Sequence, residues 1–230
     1  MTFGIDADSG GAVAVVCVDR PRVQLRQRDL ELLDALVRRV KVLSLAQVSR
    51  TWWPTAHGTD AVRKRLHLLA GVGYVSRVRI LAASEAPVSN ALARWAPGER
   101  VPDFAKVIAI ASVRWESATR SVSCVAATAL AAARFAATFR TPRLSEGTHD
   151  LHVAQLYLRL LRASPWAAQR WEGEACRGTA SHDGEKVPDA MLRLPGRPMA
   201  IEVVGQSYST DKLRAFHEYC AARDLGYELW

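Results

Sequence analysis

The sequence lacks any apolar stretch of the roughly 20 residues that a membrane-crossing helix needs. The apolar run nearest the start, residues 11–18, follows Asp6 and Asp8 instead of the lysines or arginines of a secretory leader, so residues 1–24 are predicted to form a strand or a loose segment. The cysteines are scattered and show no Cys-x-x-Cys spacing, which argues against a structural zinc site. They are predicted to be buried free thiols in a reducing cytoplasm, at positions 17, 124, 176 and 220.

Positive charge is scarce in the second half of the chain and concentrated in the first. Residues 20–80 carry 13 basic and 4 acidic side chains, a net charge of +9, whereas residues 148–230 carry 10 basic and 11 acidic side chains, a net charge of −1. Basic side chains concentrated on one module attract phosphates, and the rest of the surface is then less prone to nonspecific binding. The distribution favours a nucleic-acid-binding module near the N-terminus, and a merely solvated set of basic helices is the alternative.

Three amphipathic helices are predicted in this basic part. Residues 27–40 place leucines and valines at three- and four-residue steps, which is the apolar stripe of a helix. Ser44 is the predicted N-cap of a second, shorter helix that ends near Trp53. A third helix over residues 59–73 buries Val62, Leu66 and Leu69.

The segment after the third helix predicts a β-hairpin. Residues 74–81 alternate apolar and polar side chains, and residues 91–98 form a second short strand. Three helices followed by a hairpin is the order of a winged helix-turn-helix, whose third helix enters the major groove of DNA. The candidate DNA contacts are the polar side chains of that helix and of the wing strand, Arg63, Lys64, His67, Arg77 and Arg79. A winged helix used for protein contacts is the alternative.

The predicted domain organisation is a winged-helix domain at residues 25–98, a connecting region at 99–147 and an α/β domain at 148–230. In the connection, residues 100–116 are predicted to include a strand, and residues 122–139 predict an alanine-rich helix that packs between the two domains. A homodimer formed through this helix is left open. Residues 142–147 are read as a linker.

The last part has the predicted element order α-β-β-β-α-β. Thr148 caps the first helix, strands follow within residues 170–177, 187–196 and 197–205, and a helix and a final strand complete the set. This order resembles the PD-(D/E)xK nuclease superfamily, with Asp189 opening the second strand and Glu202 in the third. The resemblance implies a restriction-endonuclease-like domain in which these carboxylates bind Mg²⁺, with Glu174 as third ligand and Glu172 as its rival.

The chain departs from that motif at one position. The superfamily's lysine follows the strand carboxylate by two residues, where this chain has Val204. Lys212 in the next helix is the candidate replacement, and Gln206 is a weaker one. A Mg²⁺-dependent endonuclease and an inactive nuclease-like fold kept for binding or assembly therefore both stay open.

Taken together, the chain resembles the replication-relaxation family of plasmid and mobile-element proteins. The matching segments are RDLELLDAL, VRKRLHLLAGVGYVSR, THDLHV, RWEGE, VPDAML, AIEVV and DKLRAFHEY. The resemblance implies binding of double-stranded DNA in plasmid replication, relaxation or mobilisation, in the cytoplasm and away from membranes. The alternative is a winged-helix transcriptional regulator whose C-terminal domain dimerises or binds a ligand.

Overall fold

The computed structural model describes residues 23–83, 89–176 and 187–230. The segment predicted as an N-terminal strand, Cys17 and the polar residues 181–186 lie outside these ranges. Within them the chain has a mixed α+β architecture with two β-sheets, which confirms the predicted mixed class. None of the helices in the described part of the chain combines the length and apolar composition that crossing a bilayer requires.

Helices and strands alternate along most of the described chain. The helices are α1 (Gln27–Asp34), α2 (Leu45–Trp52), α3 (Gly58–Gly71), α4 (Phe104–Trp115), α5 (Ala129–Arg134), α6 (Gly147–Ala163), α7 (Pro165–Ala168) and α8 (Thr210–Ala221). The strands are β1 (Leu43–Ser44), β2 (Val75–Ala82), β3 (Ala93–Trp95), β4 (Arg120–Ala127), β5 (Trp171–Gly173), β6 (Ala190–Leu194), β7 (Arg197–Glu202) and β8 (Gly226–Leu229). One π-helical turn, Ala35–Arg39, continues α1, and 3₁₀ turns lie at Leu144–Glu146 and Glu174–Cys176.

The first sheet and helices α1 to α3 form what we call the N-terminal module. Ser44 accepts a hydrogen bond from the Gln47 N–H at 3.1 Å and so caps α2 as predicted. The predicted buried face of α3, Val62, Leu66 and Leu69, is buried. These side chains share one apolar core with residues of α1, α2 and the sheet, including Leu33, Leu36, Val48, Trp52 and Val125.

The first sheet has the strand order β1-β4-β2, and all of its pairings are antiparallel. The predicted hairpin between β2 and β3 is wrong, because β2 pairs along its whole length with β4, from Val75 opposite Ala127 to Ala82 opposite Arg120. β3 pairs instead with β8 in the second sheet. The chain therefore leaves the first sheet after β2 and returns to it only after α4.

The segment between the two predicted domains differs from the expectation in both of its elements. The predicted strand within residues 100–116 is the helix α4, capped by Asp103, which accepts a hydrogen bond from the Lys106 N–H at 3.1 Å. The first part of the predicted alanine-rich helix is the end of strand β4, and only Ala129–Arg134 is helical. Pairing on both sides buries Cys124, Val125 and Ala126, and this tertiary packing overrides the helix preference of alanine.

The second sheet, with helices α4, α6 and α8, forms the C-terminal module. Its strand order is β3-β8-β7-β6-β5, in which only β7 and β8 run parallel. From α6 onward the element order is α-β-β-β-α-β, with the short helix α7 added. Thr148 is not the cap of α6, which begins at Gly147 directly after a 3₁₀ turn. The Thr148 hydroxyl oxygen instead accepts a hydrogen bond from the Ala83 N–H at 3.0 Å.

The second sheet is covered on both faces, so alternate residues of its strands enter two different cores. Ala190, Leu192 and Ile201 belong to the core that α6 shares with the N-terminal module. Met191 and Ala200 belong to a separate core formed with the other two helices, in which Phe104, Val107, Leu213 and Phe216 are buried. The sheet is thus the middle layer of three.

The two modules meet closely where the π-helical turn contacts β5. The Trp171 indole N–H donates to the Arg39 carbonyl oxygen at 3.0 Å, and the Arg39 guanidinium donates to the carbonyl oxygens of Gln169 and Trp171. Gly173 lies against the same turn, and a Cβ atom at this position would meet the Arg39 carbonyl carbon at 2.8 Å and its oxygen closer still. This contact places Lys41 beside the C-terminal module.

Candidate functional site

Asp189 and Glu202 lie side by side at the ends of two neighbouring strands. Ala190 pairs with Ile201, so Asp189 just before β6 faces Glu202 at the end of β7. The Asp189 N–H donates to Glu202 Oε2 at 3.1 Å, and Asp189 Oδ2 accepts from the Val203 N–H at 2.8 Å. Backbone pairing thus fixes the distance between the two carboxylates.

Glu202 is fully buried, with none of its surface exposed. Its second carboxylate oxygen, Oε1, accepts a hydrogen bond from the Tyr208 hydroxyl. Burial and the negative charges of Glu202 and Asp189 raise the pKa of Tyr208 well above its usual value of 10.0, so this phenol remains a donor. Both oxygens of Glu202 are therefore bonded to groups of the protein itself.

His149 connects Asp189 to a further carboxylate. Its Nε2 lies 3.1 Å from Asp189 Oδ2, and its Nδ1 lies 3.7 Å from Asp150 Oδ1. Burial by itself lowers the pKa of this imidazole, but attraction to Asp189 and hydrogen bonding to Asp150 outweigh burial and raise it to about 10. His149 is therefore an imidazolium at neutral pH. Sequence reasoning quoted this histidine within THDLHV but gave it no role.

Lys41 enters the site from the N-terminal module. Its ammonium nitrogen lies 2.9 Å from Glu174 Oε2 and 3.4 Å from both Glu146 Oε2 and Asp150 Oδ1. Burial opposes its charge, yet the three carboxylates, Asp150 foremost, raise its pKa above the usual 10.5. No local sequence pattern predicts this contact, because Lys41 and Glu146 are 105 positions apart.

The two candidates for a third metal ligand have different partners. Glu174 lines the same cleft as Asp189 and His149 and forms a second ion pair with Arg140 at 3.2 Å. Glu172 forms an ion pair with Arg193 at 2.9 Å. Of these two glutamates, Glu174 is the one that shares the cleft with the strand carboxylates.

The residues considered for the lysine of the nuclease motif also lie in different surroundings, one in the core and two at the cleft. Val204 is only 2% exposed and packs in the core with residues of α4 and α8, and its side chain does not line the cleft. Lys212 and Gln206 are exposed residues that line the cleft. The Lys212 ammonium lies 4.8 Å from the centre of the Tyr208 ring, against the tyrosine whose hydroxyl contacts Glu202.

The carboxylate arrangement does not fit the Mg²⁺ ion that the nuclease resemblance implies. Asp189 is engaged by an imidazolium and a backbone N–H, Glu202 by a phenol and a backbone N–H, and Glu174 by Lys41 and Arg140. Within residues 23–83, 89–176 and 187–230, no three His, Cys, Asp or Glu side chains are arranged to hold a metal ion. The charges of Asp189 and Glu174 are thus compensated by basic side chains of the protein, and Glu202 is held by neutral donors.

A second candidate site lies on the surface of the N-terminal module. Arg63, Lys64 and His67 are exposed on α3, and Arg77 and Arg79 are exposed on β2. The neighbouring Arg65 does not belong to this surface, because its guanidinium donates to the buried Asp29 carboxylate at 2.9 Å and so joins α3 to α1. We call the five exposed side chains the basic surface.

Comparison with protein-family models, with curated proteins and with solved structures gave no significant match for this chain. The residues and their geometry are therefore the basis for interpreting its function.

Proposed function

We propose that this chain is a double-stranded-DNA-binding protein with a winged-helix N-terminal module and a nuclease-like C-terminal module that binds without cutting. The observation that carries the proposal is the basic surface, in which cations of α3 and of β2 are exposed on one module. A helix that presents arginine and lysine to solvent beside an extended strand is the arrangement with which winged helices contact bases and phosphates.

The topology of the first sheet supports the winged-helix part of the proposal. Three helices precede β2, the short β1 lies between the first two helices, and β4 is the central strand of the order β1-β4-β2. This is the strand order of a winged helix, with β2 and β4 as the two wing strands. Here they are separated by β3 and α4 in place of a short turn.

The second sheet supports the nuclease-like part. The antiparallel series β5-β6-β7 is followed by β8 parallel to β7, with helices on both faces, and Asp189 and Glu202 lie at adjacent strand ends. The bonds of both carboxylates to groups of the protein favour binding over Mg²⁺-dependent cleavage. Plasmid replication, relaxation or mobilisation stays the predicted setting, on the resemblance alone.

The proposal is tested by measuring duplex DNA affinity by fluorescence anisotropy for wild type and for the double variant R63A/K64A. We expect a loss of about 1–3 kcal/mol for each base contact removed, and less for contacts to phosphate. The matched control is R197A/R214A, in which Arg214 forms the same kind of exposed ion pair on α8, with Asp211, as Arg63 forms with Asp60 on α3. Equal affinities of the two double variants would contradict the proposal.

A further inference from the structure

The Lys41 ammonium is surrounded by three carboxylates of one region of the C-terminal module. They come from the 3₁₀ turn before α6, from the first turn of α6 and from the 3₁₀ turn after β5, as Glu146, Asp150 and Glu174. Asp150 is only 3% exposed, and its Oδ2 atom has no hydrogen-bond partner in the described part of the chain. We call this group the Lys41 cage.

The dimensions of the cage suit an ammonium ion better than a metal ion. The nitrogen-to-oxygen distances are 2.9, 3.4 and 3.4 Å. Mg²⁺ and Ca²⁺ hold oxygen ligands at about 2.0–2.6 Å, so these carboxylates would have to move inward, into the space of the ammonium, to coordinate a divalent ion. Distances near 3 Å are those of charge-assisted hydrogen bonds from nitrogen.

The cage is continuous with the strand carboxylates. His149 lies between Asp150, a member of the cage, and Asp189, which is hydrogen-bonded through its backbone to Glu202. The Lys41 ammonium and the His149 ring therefore lie among carboxylates that line one cleft. Lys41 is supplied by the other module, since it lies between the π-helical turn and β1.

We propose that the Lys41 ammonium, which pairs with the candidate ligand Glu174, serves as the counterion of these three carboxylates in place of a divalent cation. The carboxylate site is accordingly metal-independent, and it is complete only when the N-terminal module supplies this lysine. Lys41 is a positioning residue, because it neutralises Glu146, Asp150 and Glu174 and keeps them together. This inference deepens the proposed function and rests on the nuclease-like architecture proposed for the C-terminal module.

The test is titration of the full-length protein with Mn²⁺, followed by calorimetry, for wild type, K41A and the double variant K41A/E174Q. We expect no saturable Mn²⁺ site in wild type, one in K41A, and its loss in the double variant. A lysine that served only as a surface contact would leave all three titrations alike. The matched control is K212A, since Lys212 lies in the same cleft but over a tyrosine ring, and it should gain no Mn²⁺ site.

Two results would overturn the proposal. One is a saturable Mn²⁺ site in wild type that E174Q or D150N removes, and the other is a folded K41A that gains no site. Should K41A fail to fold alone, the proposal expects Mn²⁺ during refolding to restore the native far-ultraviolet dichroism, and failure to do so counts against it. DNA affinity of the same wild-type preparation is measured separately, so a defect in the proposed DNA binding is distinguished from a wrong cage assignment.

Discussion

Charges on the basic surface and charges at the carboxylate site are neutralised in different ways. Arg63 pairs with Asp60 on α3, yet the two side chains remain 60% and 70% exposed. Glu202 is fully buried and meets only fixed partners within the protein. Exposed pairs contribute about 0–1 kcal/mol and readily exchange partners, whereas a buried charge that loses its partner is strongly destabilising.

This difference explains why the basic surface can exchange partners more easily than the carboxylate site. A cation held loosely by a neighbouring aspartate can transfer its interaction to a DNA phosphate at little cost. A carboxylate whose every oxygen is already bonded must first break those bonds before it binds anything else. The charges of the basic surface are therefore easier to transfer to an external ligand than those of the carboxylate site.

The largest effect on stability is expected when the lysine of the nuclease motif is introduced at its expected position, residue 204. V204K would put an ammonium in the core beneath α4 and α8, where Val204 is 2% exposed. We expect a loss of about 3–5 kcal/mol in the free energy of unfolding, as for an uncompensated buried charge. Urea denaturation measures it, with Q206K as the exposed control two positions away. Equal stability of the two variants would show that residue 204 reaches the cleft.

The contact between the π-helical turn and β5 joins the two modules, and the variant G173A tests it. G173A places a methyl group against the Arg39 carbonyl, which is backbone and cannot move aside as a side chain can. We expect destabilisation of about 3 kcal/mol, at the upper end for overpacking. G71A is the matched control, because a Cβ there meets no atom within 4 Å, and alanine favours the helix. Comparable urea midpoints for the two variants would refute the close contact.

The imidazolium at the carboxylate site predicts a pH dependence that the basic surface does not share. The pKa of His149 is about 10 in the folded protein, against the usual 6.5, because Asp189 and Asp150 favour its charged form. A raised pKa stabilises the fold fully below pH of about 6.5, and this contribution is lost as pH rises towards 10. Urea denaturation across this range should show the loss in wild type and not in H149Q. Parallel profiles would contradict the assignment.

The smallest effect is expected on the wing strand. Arg77 and Arg79 are exposed on β2 and are predicted to meet phosphates. R77A and R79A should each lower the slope of log affinity against log salt concentration by about 1 and weaken binding similarly for all DNA sequences. Anisotropy titrations at several salt concentrations measure this slope. A change confined to one DNA sequence would point to base contacts instead, and R197A is the control.

Local sequence patterns predicted many of the helices and strands, but they did not predict which distant strands pair with one another. The stripe of α3, the cap at Ser44 and the order of elements after residue 147 follow from periodicity and capping, which depend on near neighbours. The partner of β2 could not be read in this way, because the strand that completes its sheet begins at Arg120. The apolar spacing of Phe104, Val107 and Ala111 did mark α4 as a helix, and the prediction of a strand there missed it.

The candidate site shows the same limit. Asp189 and Glu202 were found because the motif places both on consecutive strands. Lys41 was not, because its partners are assembled only when two modules pack together. His149 had a local sign, an adjacent aspartate at the start of a helix, but its second partner Asp189 is 40 positions away.

The path of the chain between β2 and β4 determines whether the two modules can be separated by cleaving the backbone. The backbone passes from the first sheet to β3 and α4, returns to β4, and leaves again for α6. No single peptide-bond cleavage can then release two complete modules, because at least one half always keeps a strand that belongs to the other module. A nicked protein stays together as a complex, and the two modules cannot be exchanged as separate cassettes by joining genes at one point.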